Sequence, residues 1–452
     1  MDGDGRTARA RHSLHTSHRG ARFPPDGLDG DARVVNRTVR FLAPWLATAA
    51  VFALAPLVFR SNFALTTMSL IAINVIFALS FNILLGQTGL LSFGHAVYYG
   101  LGGFVAVHLL NAAVEAKLGL PLPVFVLVGG LGGLAFGCLF GLVVSRRGGI
   151  VFSMITLGIG ELVSSSSFIL RSFFGGEEGI VTNRTGAAAF FGLTFGRQIE
   201  MYYLTAAWCF LAIIAVYALT RTPLGRIWNA ARENVERVEF IGYKPETLRL
   251  YACCFAALFA GVAGGLAAIN FEIMNADQLG SQQSTLVLLM AYVGGTGHFV
   301  GPILGAVAIT YLQLRLSDVT DIWQLYFGVL FIGVVLLAPG GIAGWIAMHV
   351  EAWRRGELAR LAPSYALVAP AIVVAAVGAV ILVELTHRLF GRAMGESTLF
   401  HFGPFTLDAL SVLPWAIGCA LGFGGGFVVR WAWPRVQEAW SAAAPATKGG
   451  AA

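Results

Sequence analysis

Charged residues are scarce in this chain. They make up 12% of its 452 residues, whereas 57% are hydrophobic. An ordinary soluble protein has roughly a quarter charged residues, so a soluble fold of this size would lack the polar groups to cover its surface. The composition therefore argues against a soluble protein. Runs of about twenty apolar residues, long enough to cross roughly 30 Å of hydrocarbon as helix, predict membrane spans instead.

Motifs for catalysis, metal binding and nucleotide hydrolysis are also missing. The sequence has no G-x-x-x-x-G-K-[ST] loop and no G-x-S-x-G or H-E-x-x-H motif. Its five cysteines lie inside apolar runs without a C-x-x-C spacing, which argues against a disulfide framework or a zinc site. No basic stripe suited to nucleic acid is present. We therefore expect no enzyme activity, no metal or cofactor and no nucleic-acid partner.

Apolar runs and loop arginines predict the topology. Eight arginines in residues 1–40, without an apolar helical face, predict a disordered basic tail. The arginines at 146–147, 221–249 and 354–360 fall on the same side as this tail, which the positive-inside rule makes cytoplasmic. Twelve candidate spans lie at about 41–59, 63–85, 95–111, 123–144, 150–170, 201–220, 250–270, 284–296, 299–315, 323–339, 364–385 and 407–429.

A first helix break is predicted between residues 82 and 95. Gly86-Gln87-Thr88-Gly89 interrupts an apolar stretch, and paired interruptions of this kind mark transport pathways in membrane proteins. Polar groups at this depth need partners. We expect them to line a translocation path or, alternatively, to form hydrogen bonds between helices; the polar residues are Asn82, Gln87, Ser92 and His95.

A second break is predicted within residues 284–315. Gly294, Gly295 and Gly297 interrupt this run, which favours two half-helices with a Gly-rich turn at the translocation path. The charge rule requires the run to cross the membrane an even number of times, or to enter and return. Because these runs are long and apolar enough to lie in a membrane, the sequence also predicts that the chain is in contact with the lipid bilayer.

Glu161 is the main acidic residue deep in a predicted span. A charge at that depth faces the interior of the helix bundle or water, and it is a functional candidate. The alternative is a structural carboxyl group bonded to a neighbouring helix.

The predicted cytoplasmic loop 221–249 contains an amphipathic segment. Thr222 fits an N-cap, Pro223 the first helical position and Gly242 the C-terminal stop. Between them we predict one continuous helix with a Glu233–Arg237 pair at i,i+4 spacing. Such a helix can dock into a groove of a soluble partner or lie flat on the membrane.

Four motifs in chain order resemble the branched-chain amino-acid ABC permease family, specifically its LivM-type subunit. They are Gly86-Gln87-Thr88-Gly89 with Ser92-Phe93-Gly94-His95; Thr156-Leu157-Gly158-Ile159-Gly160-Glu161; Gly225-Arg226 with Ala231-Arg232-Glu233-Asn234; and Gly294-Gly295-x-Gly297 with Gly301-Pro302. The resemblance covers roughly residues 60–345.

This resemblance implies one subunit of a heteromeric importer in a bacterial inner membrane. The partners would be a LivH-like permease, two cytoplasmic ATPase subunits of the LivG/LivF type that use the ATP, and an extracytoplasmic substrate-binding protein. The loop that meets an ATPase would contain Gly225, Arg226, Ala231, Arg232, Glu233, Asn234, Glu239 and Gly242.

The predicted fold is an all-α integral membrane protein, a polytopic bundle of about 10–12 spans with discontinuous helices. We divide it into the tail at 1–40, a permease transmembrane domain at 41–345, and an extension at 346–452 with two further transmembrane helices. Two other functions remain open: a permease for urea or short-chain amides, and an ion-coupled secondary transporter with Glu161 or His95 as its ion site.

Overall fold

Helices account for most of the structure. A computed structural model describes residues 29–338, 340–391, 398–402 and 405–443. These ranges form sixteen α-helices and two short antiparallel strand pairs, which confirms the all-α polytopic fold. The helices are α1 (Asp29–Val58), α2 (Asn62–Asn82), α3 (Ala96–Glu115), α4 (Leu122–Val144), α5 (Gly149–Ile169), α6 (Arg171–Phe174), α7 (Gln198–Arg221), α8 (Pro223–Glu233), α9 (Val235–Phe240), α10 (Pro245–Phe271), α11 (Ser281–Gly294), α12 (Gly301–Ser317), α13 (Trp323–Leu337), α14 (Gly341–Arg354), α15 (Leu358–Gly391) and α16 (Val412–Ala443). The strand pairs are β1 (Ile180–Val181) with β2 (Ile273–Met274), and β3 (Leu399–Phe402) with β4 (Phe405–Asp408).

Eight helices of the described ranges are long and apolar enough to cross a membrane: α2, α3, α4, α5, α7, α10, α15 and α16. The remaining predicted runs correspond to shorter apolar helices, namely Leu42–Val58 within α1, and α11, α12 and α13. A ninth span results if α13 and α14, which are bent by 45° relative to each other, are taken as one. The last predicted run starts later than expected, because residues 407–408 belong to β4.

The first helix starts earlier than predicted. Residues 29–40 were assigned to a disordered tail, and this is wrong, because they continue α1 as helical backbone. No glycine or proline occurs between Asp31 and Ala43, so nothing stops the helix there. Residues 1–28 of the predicted tail lie outside the described residues.

The centre of the bundle is built from α2, α3 and α10, the most buried of the long helices. Glycines bring α3, α4 and α10 into backbone contact. A Cβ atom at Gly102 of α3 would lie 2.5 Å from Gly261 Cα of α10 and 2.7 Å from Gly129 O of α4. Small residues at membrane helix interfaces allow such close approach. Only a hydrogen atom fits at this crossing.

The run 284–315 folds into a hairpin of two half-helices, as predicted. α11 and α12 pack through their glycines: a Cβ atom at Gly294 would lie 2.9 Å from Gly305 N, and one at Gly305 would lie 2.7 Å from Gly294 N. The turn between them starts at Gly295, whose φ of +105° is accessible to glycine and rarely to other residues.

A further break, between α13 and α14, was not singled out in the sequence. It contacts the turn of the α11–α12 hairpin: Gly341 has a φ of +60°, and a Cβ atom on it would lie 2.5 Å from Gly295 N. The two irregular segments therefore touch backbone to backbone. The predicted domain boundary at residue 345 falls inside α14.

Candidate translocation and coupling site

The first predicted break is present and begins with a π-helical turn. This turn, Ile83–Gln87, follows α2 directly and leads into an irregular segment, with a turn at residues 93–95, before α3 begins. Thr88 Oγ1 donates to Leu84 O at 2.6 Å, and Gly89 has a φ of +70°. π-helical turns occur often at functional sites, because they free part of the helical hydrogen bonding.

Three predicted path residues in this break are enclosed. Asn82, Ser92 and His95 are buried, and His95 has 0% of its surface exposed. Its Nε2 atom lies 2.9 Å from Ser80 Oγ, and its ring packs against Phe77 and other aromatic rings. In this conformation the three side chains are enclosed within this chain, and Asn82 Oδ1, Ser92 Oγ and His95 Nδ1 have no hydrogen-bond partner among the described residues.

Gln87, the fourth polar residue of the break, points to the predicted cytoplasmic loop. Asn229 Nδ2 of α8 donates to Gln87 Oε1 at 2.9 Å. One turn further along α8, Arg232 Nη1 donates to Gly86 O at 2.5 Å. The π-helical turn and α8 are thus connected by two hydrogen bonds.

The single helix predicted in this loop is wrong, because the loop forms two helices that meet at Asn234. The Asn234 side chain accepts a hydrogen bond from Arg237 N at 3.0 Å and so caps the start of α9. Asn and Asp are favoured at the start of helices, because their side-chain oxygen accepts a hydrogen bond from a backbone N–H that has no partner within the helix. Glu233 and Arg237 therefore lie on different helices, and the predicted pair is not among the ion pairs of the described residues.

The two ends of the loop follow the prediction. Thr222 Oγ1 accepts from Gly225 N at 3.3 Å, and Pro223 opens α8. Gly242 has a φ of +98°, and its N–H donates to Glu239 O at 2.9 Å. Tyr243 N donates to Val238 O, which completes a Schellman cap.

The loop presents different surfaces on its two helices. On α8, Trp228 is 1% exposed and donates its indole N–H to Leu248 O at 2.9 Å, while Ile227 and Ala231 pack against the core. On α9 and just after it, Phe240 is 90% and Ile241 is 74% exposed. The polar candidates Arg226, Arg232, Glu233 and Glu239 are exposed.

Glu161 lies on the outer surface of the bundle. A different face of α5 packs on the first break: Ser153 Oγ donates to Leu91 O at 2.7 Å, and Phe93 N donates to Thr156 Oγ1 at 3.2 Å. Gly160 belongs to that buried face, so Glu161, about 100° further around the helix, is exposed. The carboxyl group of Glu161 was expected to face either the interior of the helix bundle or water. Because it is exposed, it does not face the interior of this chain.

The glycines of the second break divide into two groups. Gly294 and Gly295 pack against the backbone of Gly301 and Gly340 and line no open space in this conformation. Gly297 is exposed, and a Cβ atom on it would meet nothing within 4 Å.

A cleft of about 640 Å³ lies where the first break meets α11 and α13. Leu91 and Phe93 contribute from the break, and Ala96 N donates to Ser284 Oγ at 3.0 Å beside it. The lining is mostly apolar, with hydroxyl and amide groups contributed by Ser281, Gln282, Thr285 and Gln324.

Two residues at contacts between elements were missed in the sequence. Asn229 gave no signal, because its partner Gln87 is 142 positions away. Glu384 did give one, since it lies in an apolar run just as Glu161 does. It is 2% exposed and accepts a hydrogen bond from Tyr326.

Comparisons with known proteins show which family this chain is similar to. The family described as branched-chain amino acid transport system / permease component matches residues 63–339. The high-affinity branched-chain amino acid transport system permease protein LivM of Escherichia coli is 28% identical over 63% of this chain and 71% of its own length. A probable LivH permease of Methanocaldococcus jannaschii is 25% identical over 60% of this chain and 88% of its own length.

A more distant relative is the autoinducer 2 import system permease protein LsrC of Yersinia enterocolitica, 25% identical over 45% of this chain and 60% of its own length. No solved structure matches. The family match covers more than half of the chain and contains six of the eight long apolar helices found in the described residues. The chain is therefore a multi-pass membrane protein of the branched-chain amino acid transport permease family.

Proposed function

We propose that this chain is a permease subunit of an ATP-driven importer of branched-chain amino acids. Its relatives include permeases named for that transport, and a LivH-type relative suggests a second permease as partner. The chain carries no P-loop, so two cytoplasmic ATPase subunits would supply the energy. An extracytoplasmic binding protein would deliver the solute. The N-terminus would face the cytoplasm of a bacterial cell, as the loop arginines predict.

The contact between α8 and the first break is the observation that carries this proposal. A hydrogen bond contributes about 1 kcal/mol net, and one with a charged donor about 1.5–3 kcal/mol. The bonds from Asn229 to Gln87 and from Arg232 to Gly86 can therefore transmit a free-energy difference of roughly 3 kcal/mol, equivalent to about 100-fold in an equilibrium. ATP can shift the permease between states only through contacts that differ between those states. These two bonds are candidates for such contacts.

The docking surface for an ATPase would be the exposed apolar end of α9. The apolar face of α8 is already covered by the permease, as the burial of Trp228 shows. Phe240 and Ile241 remain uncovered and can enter a groove of a soluble partner. A helix lying flat on the membrane favours Lys and Arg on its polar face, whereas the loop exposes Glu233, Glu236 and Glu239.

The translocation path would run along the open face of α5 and the neighbouring cleft. A carboxyl group such as that of Glu161 is costly against lipid, so the second permease or water must cover it. The cleft combines apolar walls with a few hydroxyl and amide groups. That composition suits a solute with an aliphatic side chain and polar ends.

The proposal can be tested with the assembled importer in proteoliposomes. We expect Asn229→Ala and Arg232→Ala to keep ATP hydrolysis but to lower leucine uptake per ATP, by up to about 100-fold together. Asn62→Ala, which changes an exposed asparagine at the other end of α2, is the control. An unchanged uptake-to-ATP ratio in the double variant would refute the coupling role.

Two further measurements test identity and solute. Uptake that persists after ATP depletion, without a retained ATPase, would contradict the importer and favour an ion-coupled carrier. Competition of labelled leucine uptake by isoleucine, valine, urea and short amides identifies the solute class.

A further inference from the structure

The last two helices of the described residues pack together as one unit. α15 and α16 pack against each other through glycines: a Cβ atom at Gly425 would lie 2.6 Å from Ala375 N, and one at Gly418 would lie 2.9 Å from Leu382 Cδ2. β3 and β4 pair between the helices. This unit lies beyond residue 339, where the family match ends.

One end of the unit is attached to α13. Tyr326 donates its hydroxyl to Glu384 Oε1 of α15 at 2.8 Å. Glu384 is 2% exposed and ends the apolar stretch of α15, about one turn before His387 and Arg388. A buried carboxyl group at membrane depth is costly unless it has a partner. The Tyr326 hydroxyl therefore makes this a specific attachment point.

The other end of the unit is attached to α14. His349 Nε2 lies 3.0 Å from Tyr365 Oη of α15, and Trp440 of α16 donates its indole N–H to the same hydroxyl at 2.8 Å. His349 Nδ1 lies 2.7 Å from Trp345 O, which fixes the ring on its own helix. A single tyrosine hydroxyl thus joins three helices.

These two attachment points lie on opposite sides of the α13–α14 bend. Tyr365 and Glu384 are 19 residues apart on α15, a distance of about 28 Å along a helix. Pro370 lies within this stretch, and α16 supports it: a Cβ atom at Gly425 would lie 2.9 Å from Ala371 O. One braced helix therefore spans the bend and contacts both of its arms.

The bend itself contacts the turn of the α11–α12 hairpin, where Gly341 lies against Gly295. We infer that Glu384 and Tyr365 are positioning residues: they hold the angle between α13 and α14 and, through it, the contact between Gly341 and Gly295. The C-terminal unit thereby controls the geometry of a break in the permease portion. This role concerns the chain itself and depends on neither the solute nor the partner subunits.

The test is a distance across the bend, measured by pulsed electron paramagnetic resonance on the full chain in lipid nanodiscs. Spin labels at the exposed positions Val329 of α13 and Met348 of α14 report the angle. We expect Glu384→Ala and Tyr365→Phe to shift or broaden the distance distribution as the 45° bend relaxes. Glu384→Gln, which keeps an acceptor for Tyr326, should restore the native distribution.

Two more variants separate positioning from simple stability. Tyr326→Phe removes one hydroxyl and serves if Glu384→Ala fails to fold. Tyr311→Phe, an exposed tyrosine of α12, is the matched control and should leave the distribution unchanged. Native distributions in both Tyr326→Phe and Tyr365→Phe would overturn the inference. So would a lower melting temperature without any change in distance, since that indicates a structural role alone.

Discussion

Replacing Gly102 with alanine adds one methyl group where the backbones of three helices meet. That carbon would lie 2.5 Å from Gly261 Cα and 2.7 Å from Gly129 O. Carbon atoms in contact prefer about 3.5–4.0 Å, so α10 and α4 would each have to move by roughly 1 Å. Both neighbours are backbone atoms and cannot rotate away.

Overpacking of this kind typically costs about 1–3 kcal/mol. We expect Gly102→Ala to lie in the upper half of that range, at about 2 kcal/mol, because two helices are displaced at once. Gly158→Ala on the exposed face of α5 is the control, since a Cβ atom there meets nothing within 4 Å. It should raise the unfolding free energy by about 0.5–1 kcal/mol through helix propensity. Gly102→Ala shares this gain, so the difference between the two variants reports the overpacking alone.

The assay measures the unfolding free energy of the full chain in bicelles by steric trapping. A thermal melt in detergent is the second readout. The two variants should differ by about 1.5–2 kcal/mol. If Gly102→Ala unfolds with the same free energy as Gly158→Ala, the close contact of α3, α4 and α10 is not a source of stability. Gly261→Ala, with a Cβ atom 2.9 Å from Gly133 Cα, should behave like Gly102→Ala.

Two predictions concern the predicted cytoplasmic loop. Phe240→Asp should reduce copurification of the ATPase. The control is Phe191→Asp, which changes a loop phenylalanine that is 91% exposed on the predicted outer side and should leave copurification unchanged. Equal retention of the ATPase in both variants would contradict the docking role of α9. Gly242→Pro should lower uptake per ATP, because proline cannot adopt the φ of +98° at this position and has no N–H for Glu239 O. Gly242→Asn, which tolerates this conformation, should retain function, and normal uptake in the proline variant would contradict the expectation.

Much of the helical architecture could be predicted because it depends on local sequence. Apolar runs of sufficient length must form helices in a bilayer, since each helix satisfies its own backbone hydrogen bonds. The Gly-rich breaks near Gly86 and Gly294 were visible for the same reason, as were the caps at Thr222 and Gly242. The break at Asn234 was missed because apolar periodicity continues from Ala231 to Val238 and conceals it.

The arrangement of the candidate site could not be predicted in the same way. Which face of α5 is buried depends on the contact of Gly160 with Gly94, across 66 positions of sequence. The bonds of Gln87 and Gly86 to α8 depend equally on tertiary packing. Hydropathy identifies residues that are unusual for a membrane helix, such as Glu161 and Glu384, but it does not identify their partners.

The exposed position of Glu161 has a consequence for a newly made copy of this chain under the proposed assembly. If, as proposed, a second permease covers α5, this carboxyl group would face lipid until the two subunits assemble, at a cost of about 2.5–3.5 kcal/mol near the middle of a membrane on the insertion scale. A subunit without its partner would therefore be destabilised in the bilayer, and membrane proteases would degrade it more readily. The supply of the partner would then set how much of this chain accumulates, so that subunit stoichiometry is controlled by degradation of the excess.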